Sequence, residues 1–318
     1  MWGLLTWSLG CAAHHDVSYG PRAPAPVHVE RWTFQGQPAR KIVSPNYIIY
    51  TTITDPEIVA SLGQMMEGAL SQYRRMAPAA AMSGKPMECY VFATRPQWAH
   101  FTENRTGPDA AVYLQINRGG YTVHDWFVAY FLGDLATYSV VSHEGWHQFC
   151  ARHMRNRLPP FLEEGLACMF EDIHWNGALP RWNMSVNSGR LNGLRNALEG
   201  GYLLPLEKLI SMHAGQIVET DSDRIEGFYA QNWAFARFLW EAQHRSYQPA
   251  IKEMLDDAVH GNLFGADVIS PQKEIWNPEA AKPLLEHYLG TDLETLNAAY
   301  QRYVRDLCAR GTQTSLDS

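Results

Sequence analysis

The feature that most constrains this chain is five residues long: His143-Glu144-Gly145-Trp146-His147. They spell H-E-x-x-H inside a stretch from Asp134 to about Met154 that reads as a helix. Positions i and i+4 of a helix stand one above the other, so His143 and His147 can offer two imidazole nitrogens to one ion. Glu144 lies one step round the helix, where its carboxylate can hold a water beside that ion and act as general base. A fold built on this helix must pack most of its surface and still turn one face to a metal site. His153, six residues past His147, is turned through about 600° and faces away.

A third ligand can follow the helix. Leu158-Pro159-Pro160 ends the first helix and can open a second, because proline is tolerated in a first turn. The second helix, from Pro160, would pack back on the first and bring a carboxylate to the two imidazoles. Two His and one Glu, with the fourth position open to water, is a ligand set of catalytic zinc. Glu171 stands seven residues after Glu164, two turns on, and therefore shares its face. It is a candidate to accept the second N–H of a metal-bound imidazole. Neighbouring Asp172 competes for that role, and a solvated helix end is the other reading.

The segment Phe161-Leu162-Glu163-Glu164-Gly165-Leu166-Ala167 resembles the W-L-x-E-G-x-A word of the gluzincin metallopeptidases, the MA clan that includes thermolysin and the M1 aminopeptidases. The closest likeness is to the bacterial DUF1570 / peptidase-MA-like group. Its pieces occur in order from about Asn46 to about Tyr303: strand, helix, strand, H-E-x-x-H, E-G-L-A, and the aromatic Tyr229-Ala230-Gln231-Asn232-Trp233. The resemblance implies an α+β, thermolysin-like zincin. Such a fold has an N-terminal mixed sheet with helices, a mostly α-helical C-terminal subdomain, and an active-site cleft between them. It implies one Zn²⁺ on His143, His147 and Glu164, catalysis by Glu144, and a peptide or protein substrate. It also points to Tyr229 as the hydroxyl that meets the oxyanion, although its apolar helix favours a core tyrosine. Glu163 has no role in this reading, and its replacement is expected to be mild.

Elsewhere the chain reads as strands at Asn46–Thr52 and Met87–Ala93, and helices at Asp55–Met76 and Pro96–Asn104. Ala111–Asn117 and Tyr121–Phe131 read as extended runs joined at Arg118-Gly119-Gly120, a hairpin signal. One of these strands would be a sheet edge on which an extended peptide pairs. Residues 46–157 form the α+β subdomain, 158–310 the helical one and 311–318 a polar tail. The hydrophobic fraction of 46% suits a packed core. A net charge of −7 without a basic cluster argues against nucleic acid as a partner. Cys150 and Cys168 fall at apolar helix positions and read as buried thiols, with a disulfide between them left open. The site prescribes only attack of water on a polarised carbonyl. A zinc hydrolase of a non-peptide substrate, or a catalytically idle binding protein on a peptidase fold, therefore stays open, as do endo- or exopeptidase action and oligomeric state.

At the N-terminus, Ser8-Leu9-Gly10-Cys11 follows an apolar run and resembles a bacterial lipobox. It implies a signal remnant at 1–11 and a lipidated Cys11. A Pro/Ala-rich linker and lead-in at 12–45 would then tether an extracytoplasmic protein to the cell envelope. A chance cysteine in a cytoplasmic protein is the alternative.

Overall fold

The computed structural model describes residues 19–81, 84–117, 119–217, 220–265 and 277–313. Cys11 lies outside them. The chain is α+β, with one mixed sheet and many helices.

Six strands order the sheet as β1-β2-β3-β4-β6-β5. They are β1 His28–Phe34, β2 Gln37–Val43, β3 Tyr47–Thr51, β4 Met87–Phe92, β5 Gly120–Val123 and β6 Trp126–Tyr130. The β3–β4 and β4–β6 pairs are parallel, and the outer pairs are antiparallel. The parallel strands β4 and β6 are apolar almost throughout, as strands covered on both faces must be. On one face lie α1 (Pro56–Met76) and α4 (Asp134–His153). On the other, α2 (Arg95–Thr106) packs Trp98 and Phe101 against Tyr90, Phe92, Trp126 and Tyr130, followed by the short α3 (Ala110–Tyr113). The start of α1 follows from its residues: the Asp55 carboxylate accepts the N–H groups of Glu57 and Ile58, and Pro56 fits the first turn.

After Pro160 the chain is mostly helical: α5 (Pro160–Met169), α6 (Ser188–Glu199), α7 (Leu206–Ser211), α8 (Ser222–Arg245), α9 (Gln248–His260), α10 (Ala281–Leu289) and α11 (Leu293–Gln313). A small hairpin, β7 (Ile173–Asn176) and β8 (Leu179–Trp182), follows α5. The two halves share one core that runs from Ile49 and Leu62 through Phe149 and Phe161 to Phe235 and Tyr300.

Two glycines set how closely the site helices approach their neighbours. A Cβ at Gly145 would stand 2.7 Å from the Tyr73 hydroxyl, so α1 lies hard against the H-E-x-x-H turn. A Cβ at Gly165 would stand 2.4 Å from the Asn232 carbonyl oxygen, so α5 and α8 meet backbone to side-chain-free backbone directly behind Glu164.

Several sequence expectations need correction. Residues 28–43, read as lead-in, form the β1–β2 hairpin and join the sheet. The Gly119-Gly120 turn is not the hairpin turn. The β5–β6 turn falls at His124 and Asp125, with His124 at φ 52°, and residues 110–113 are helical rather than extended. Gly120 instead starts β5, where a Cβ would meet Val128 O at 2.7 Å and Glu144 Cγ at 3.0 Å. Cys150 and Cys168 are both buried and are not joined by a disulfide, in line with the reading of buried thiols.

Candidate metal centre

His143 and His147 project from adjacent turns of α4, and their Nε2 atoms stand 3.2 Å apart. Glu164 reaches them from α5, with Oε2 3.4 Å from His143 Nε2 and 3.5 Å from His147 Nε2. Ligands held about 2.0–2.1 Å from a tetrahedral ion lie roughly 3.3–3.4 Å apart, so this near-equilateral triangle has the spacing of three corners of such a site. Those edges are too long to be good hydrogen bonds between the ring nitrogens and the carboxylate. Glu164 Oε2 is buried without a hydrogen-bond partner.

The far side of each imidazole explains why the near side asks for a cation. His143 Nδ1 is 2.9 Å from Glu171 Oε1, and His147 Nδ1 is 2.8 Å from Glu163 Oε1. A carboxylate accepts, so each Nδ1 carries the proton and each Nε2 turns a lone pair to the centre. With each Nε2 deprotonated, two lone pairs and a carboxylate oxygen converge on one point, an arrangement that suits a cation. Without a cation the excess of negative charge is met by protons: despite burial, the neighbouring carboxylates hold both imidazoles above their usual range. Burial lowers the His147 pKa, but Glu164 and Glu163 outweigh it and hold it up at about 10. Burial raises Glu164, yet His147 and His143 hold it well below the usual carboxylate range. His143, His147 and Glu164 could thus hold one divalent ion.

Glu171 reaches His143 by a different route from the one helix spacing suggests. α5 ends at Met169, and Phe170 has left the helix at φ −92°, ψ 3°. Glu171 comes from the following turn, where Ser139 Oγ donates to its carbonyl at 2.6 Å. Its carboxylate takes a bidentate pair from Arg190 at 2.6 and 2.8 Å and an N–H of Asn187 at 2.8 Å. Burial raises Glu171, but Arg190 and His143 hold it well below its usual range. Asn187 and Arg190 lie at the start of α6, where Asn187 also caps the helix by accepting Arg190 N–H. The Arg190 guanidinium covers the Tyr229 ring at 5.1 Å, and that ring lies 6.1 Å from His143. Tyr229 is therefore at the site. Burial pushes its pKa up, so it remains a protonated phenol able to donate.

Glu144 is buried beside the triangle. Burial raises its pKa, while His143, His147 and a hydrogen bond from Thr122 of β5 pull the other way. His153 is outside the site, with Nδ1 at the Ala81 carbonyl.

Four participants were not singled out in the sequence: Glu163, Arg190, Asn187 and Thr122. A usable signal existed only for Glu163. Two imidazoles that turn Nε2 to one point leave two Nδ1–H groups in need of acceptors, and α5 carries two adjacent carboxylates.

A protein-family model described as Protein of unknown function (DUF1570) matches residues 137–256, which include α4, α5, Arg190 and Tyr229. No curated protein and no solved structure matches the chain.

Proposed function

We propose that the chain is a zinc-dependent peptidase of the gluzincin kind, with His143, His147 and Glu164 as the ligands and Glu144 as general base. The observation that carries this reading is the convergence of two imidazole nitrogens and a carboxylate oxygen at tetrahedral spacing, with a buried carboxylate beside them. Zinc suits borderline N and O donors, and when bound it polarises a carbonyl and lowers the pKa of its water toward ~7.

The residues divide the remaining work. Glu144 takes a proton from the attacking water and delivers it to the departing amine nitrogen; its raised pKa suits both halves of that exchange. Tyr229 donates its hydroxyl to the oxygen on which negative charge develops. Glu171 and Glu163 fix the tautomer and direction of the two imidazoles. The free edge of β5, beside α4, offers backbone groups to an extended substrate. On the lipobox-like word at Cys11 we place the enzyme outside the cytoplasm on a lipid anchor, and loss of membrane-fraction recovery in Cys11→Ser tests that.

The decisive experiment is metal analysis of purified protein, followed by peptide-library cleavage with and without chelator. About one zinc per chain and chelator-sensitive cleavage are expected. Glu144→Gln should keep metal and fold while losing at least about 10²-fold in rate. Metal-free protein that cleaves peptides, or a Glu144→Gln variant of normal rate, refutes the reading.

A further inference from the structure

The edge strand β5 reaches the site through two residues. Gly120 and Thr122 are two apart on a strand and so turn to the same face, which here is the face toward Glu144. At Gly120 a Cβ would stand 3.0 Å from Glu144 Cγ, so the bare backbone lies against the stem of the glutamate. At Thr122 the hydroxyl oxygen is 2.8 Å from Glu144 Oε2 and 3.1 Å from the Glu144 carbonyl oxygen. A hydroxyl has one proton to give, and an ionised carboxylate is the stronger acceptor. The stem of the side chain is therefore confined by Gly120, one carboxylate oxygen is tied to Thr122, and Oε1 is left to serve a water.

We infer that Thr122 is a positioning residue for the general base: its hydroxyl, with Gly120 behind the side-chain stem, clasps Glu144 in the rotamer that presents Oε1 to the centre. The inference rests on the reading of Glu144 as base. It gives β5 a second duty. The same four-residue strand closes the sheet and holds the base, so a change in the strand's backbone is passed to the carboxylate through one hydroxyl. Glutamate has three side-chain torsions to restrain, and among the described residues Thr122 is the hydrogen-bond donor to its carboxylate.

Two substitutions separate the hydroxyl from the shape of the side chain. Thr122→Val keeps the volume and β-branching that suit a strand but has no hydroxyl; Thr122→Ser keeps the hydroxyl. The measurements are crystal structures of the wild type and both variants, zinc affinity, and calorimetric affinity of the zinc-loaded proteins for acetohydroxamate, a chelator that passes a proton to a neighbouring carboxylate. In Thr122→Val, Glu144 should leave its position and acetohydroxamate should weaken about tenfold, with zinc affinity unchanged within about twofold. Thr122→Ser should restore both. An unmoved Glu144 in Thr122→Val, unchanged acetohydroxamate affinity, or equal losses in the valine and serine variants overturns the inference. If the wild type takes up no zinc, the peptidase reading falls, and the crystal structures alone still decide whether Thr122 holds Glu144.

Discussion

Glu163 provides the sharpest test of how the centre works, because the sequence alone made it dispensable. Its Oε1 lies 2.8 Å from His147 Nδ1, and both side chains are only 15% exposed. A hydrogen bond to a charged group in such surroundings contributes about 1.5–3 kcal/mol, which is roughly 10–100-fold in an equilibrium constant. The same range is found for loss of the carboxylate behind a metal-bound histidine. Glu163→Gln keeps an acceptor oxygen and the correct tautomer, so it should weaken zinc by about tenfold, the low end. Glu163→Leu leaves a buried Nδ1–H unpaired and should weaken it by about 100-fold. Competition with a chelator of known affinity reads both values. Glu164→Gln, which alters a proposed ligand, should weaken zinc more than either. Wild-type affinity in both Glu163 variants would refute the claim that His147 is oriented from behind, and would restore the expectation of a mild effect.

Three further outcomes are expected. His147 has its pKa raised to about 10, so its protonated form stabilises the metal-free chain fully below the unfolded value of 6.5, and that contribution fades as pH rises through about 10. Zinc must displace that proton. His143 is held above its usual range as well, so calorimetry at pH 8 in two buffers should detect release of about one to two protons per ion, and no release refutes the linkage. Gly165→Ala should lower the melting temperature, since its Cβ would stand 2.4 Å from Asn232 O. Overpacking of this kind costs ~1–3 kcal/mol, against a helix-propensity gain of at most ~1 kcal/mol; a neutral or raised Tm would mean that α5 can slide on α8 at no cost. Tyr229→Phe should keep zinc and lose about 10²-fold in kcat, and an unchanged kcat would return Tyr229 to the core.

The elements with strong local signals were legible in the sequence. Asp55-Pro56 marked the start of α1, Pro160 that of α5, and the β-branched run at Tyr47–Thr51 became β3. Failures came where one residue type serves two physical ends. Gly120 reads as a turn, because glycine's commonest use is conformational freedom; here it is used for close approach to Glu144. The β1–β2 hairpin was missed because β1 lies at the sheet edge with mostly exposed residues, so its sequence has little apolar alternation to detect. Its turn sits at Gln35-Gly36, where Gln35 takes φ 52° and Gly36 φ 74°.

The inward triad His143, His147 and Glu164 was legible in the sequence, with Glu171 and Tyr229 named beside it, while Glu163, Arg190, Asn187 and Thr122 were not. Ligand geometry is local: one helical turn places His143, Glu144 and His147, and the E-G-L-A word supplies Glu164. The supporting charges are assembled from α5, the turn after it and α6, and no sequence spacing encodes the meeting of Arg190 and Asn187 with Glu171. Together they place four carboxylates, Glu144, Glu163, Glu164 and Glu171, around two imidazoles, with Arg190 as the guanidinium paired into the group. With both imidazoles neutral this buried group carries a large excess of negative charge, which an apolar interior penalises severely. Arg190 is committed to Glu171 by two hydrogen bonds and cannot also compensate Glu164. The remaining compensation has to come from the centre of the triangle, as a proton shared with His147 or as a divalent ion. The ion supplies twice the charge and engages all three inward atoms at once, whereas a proton engages only two. That difference is the physical reason to expect the metal to win at neutral pH.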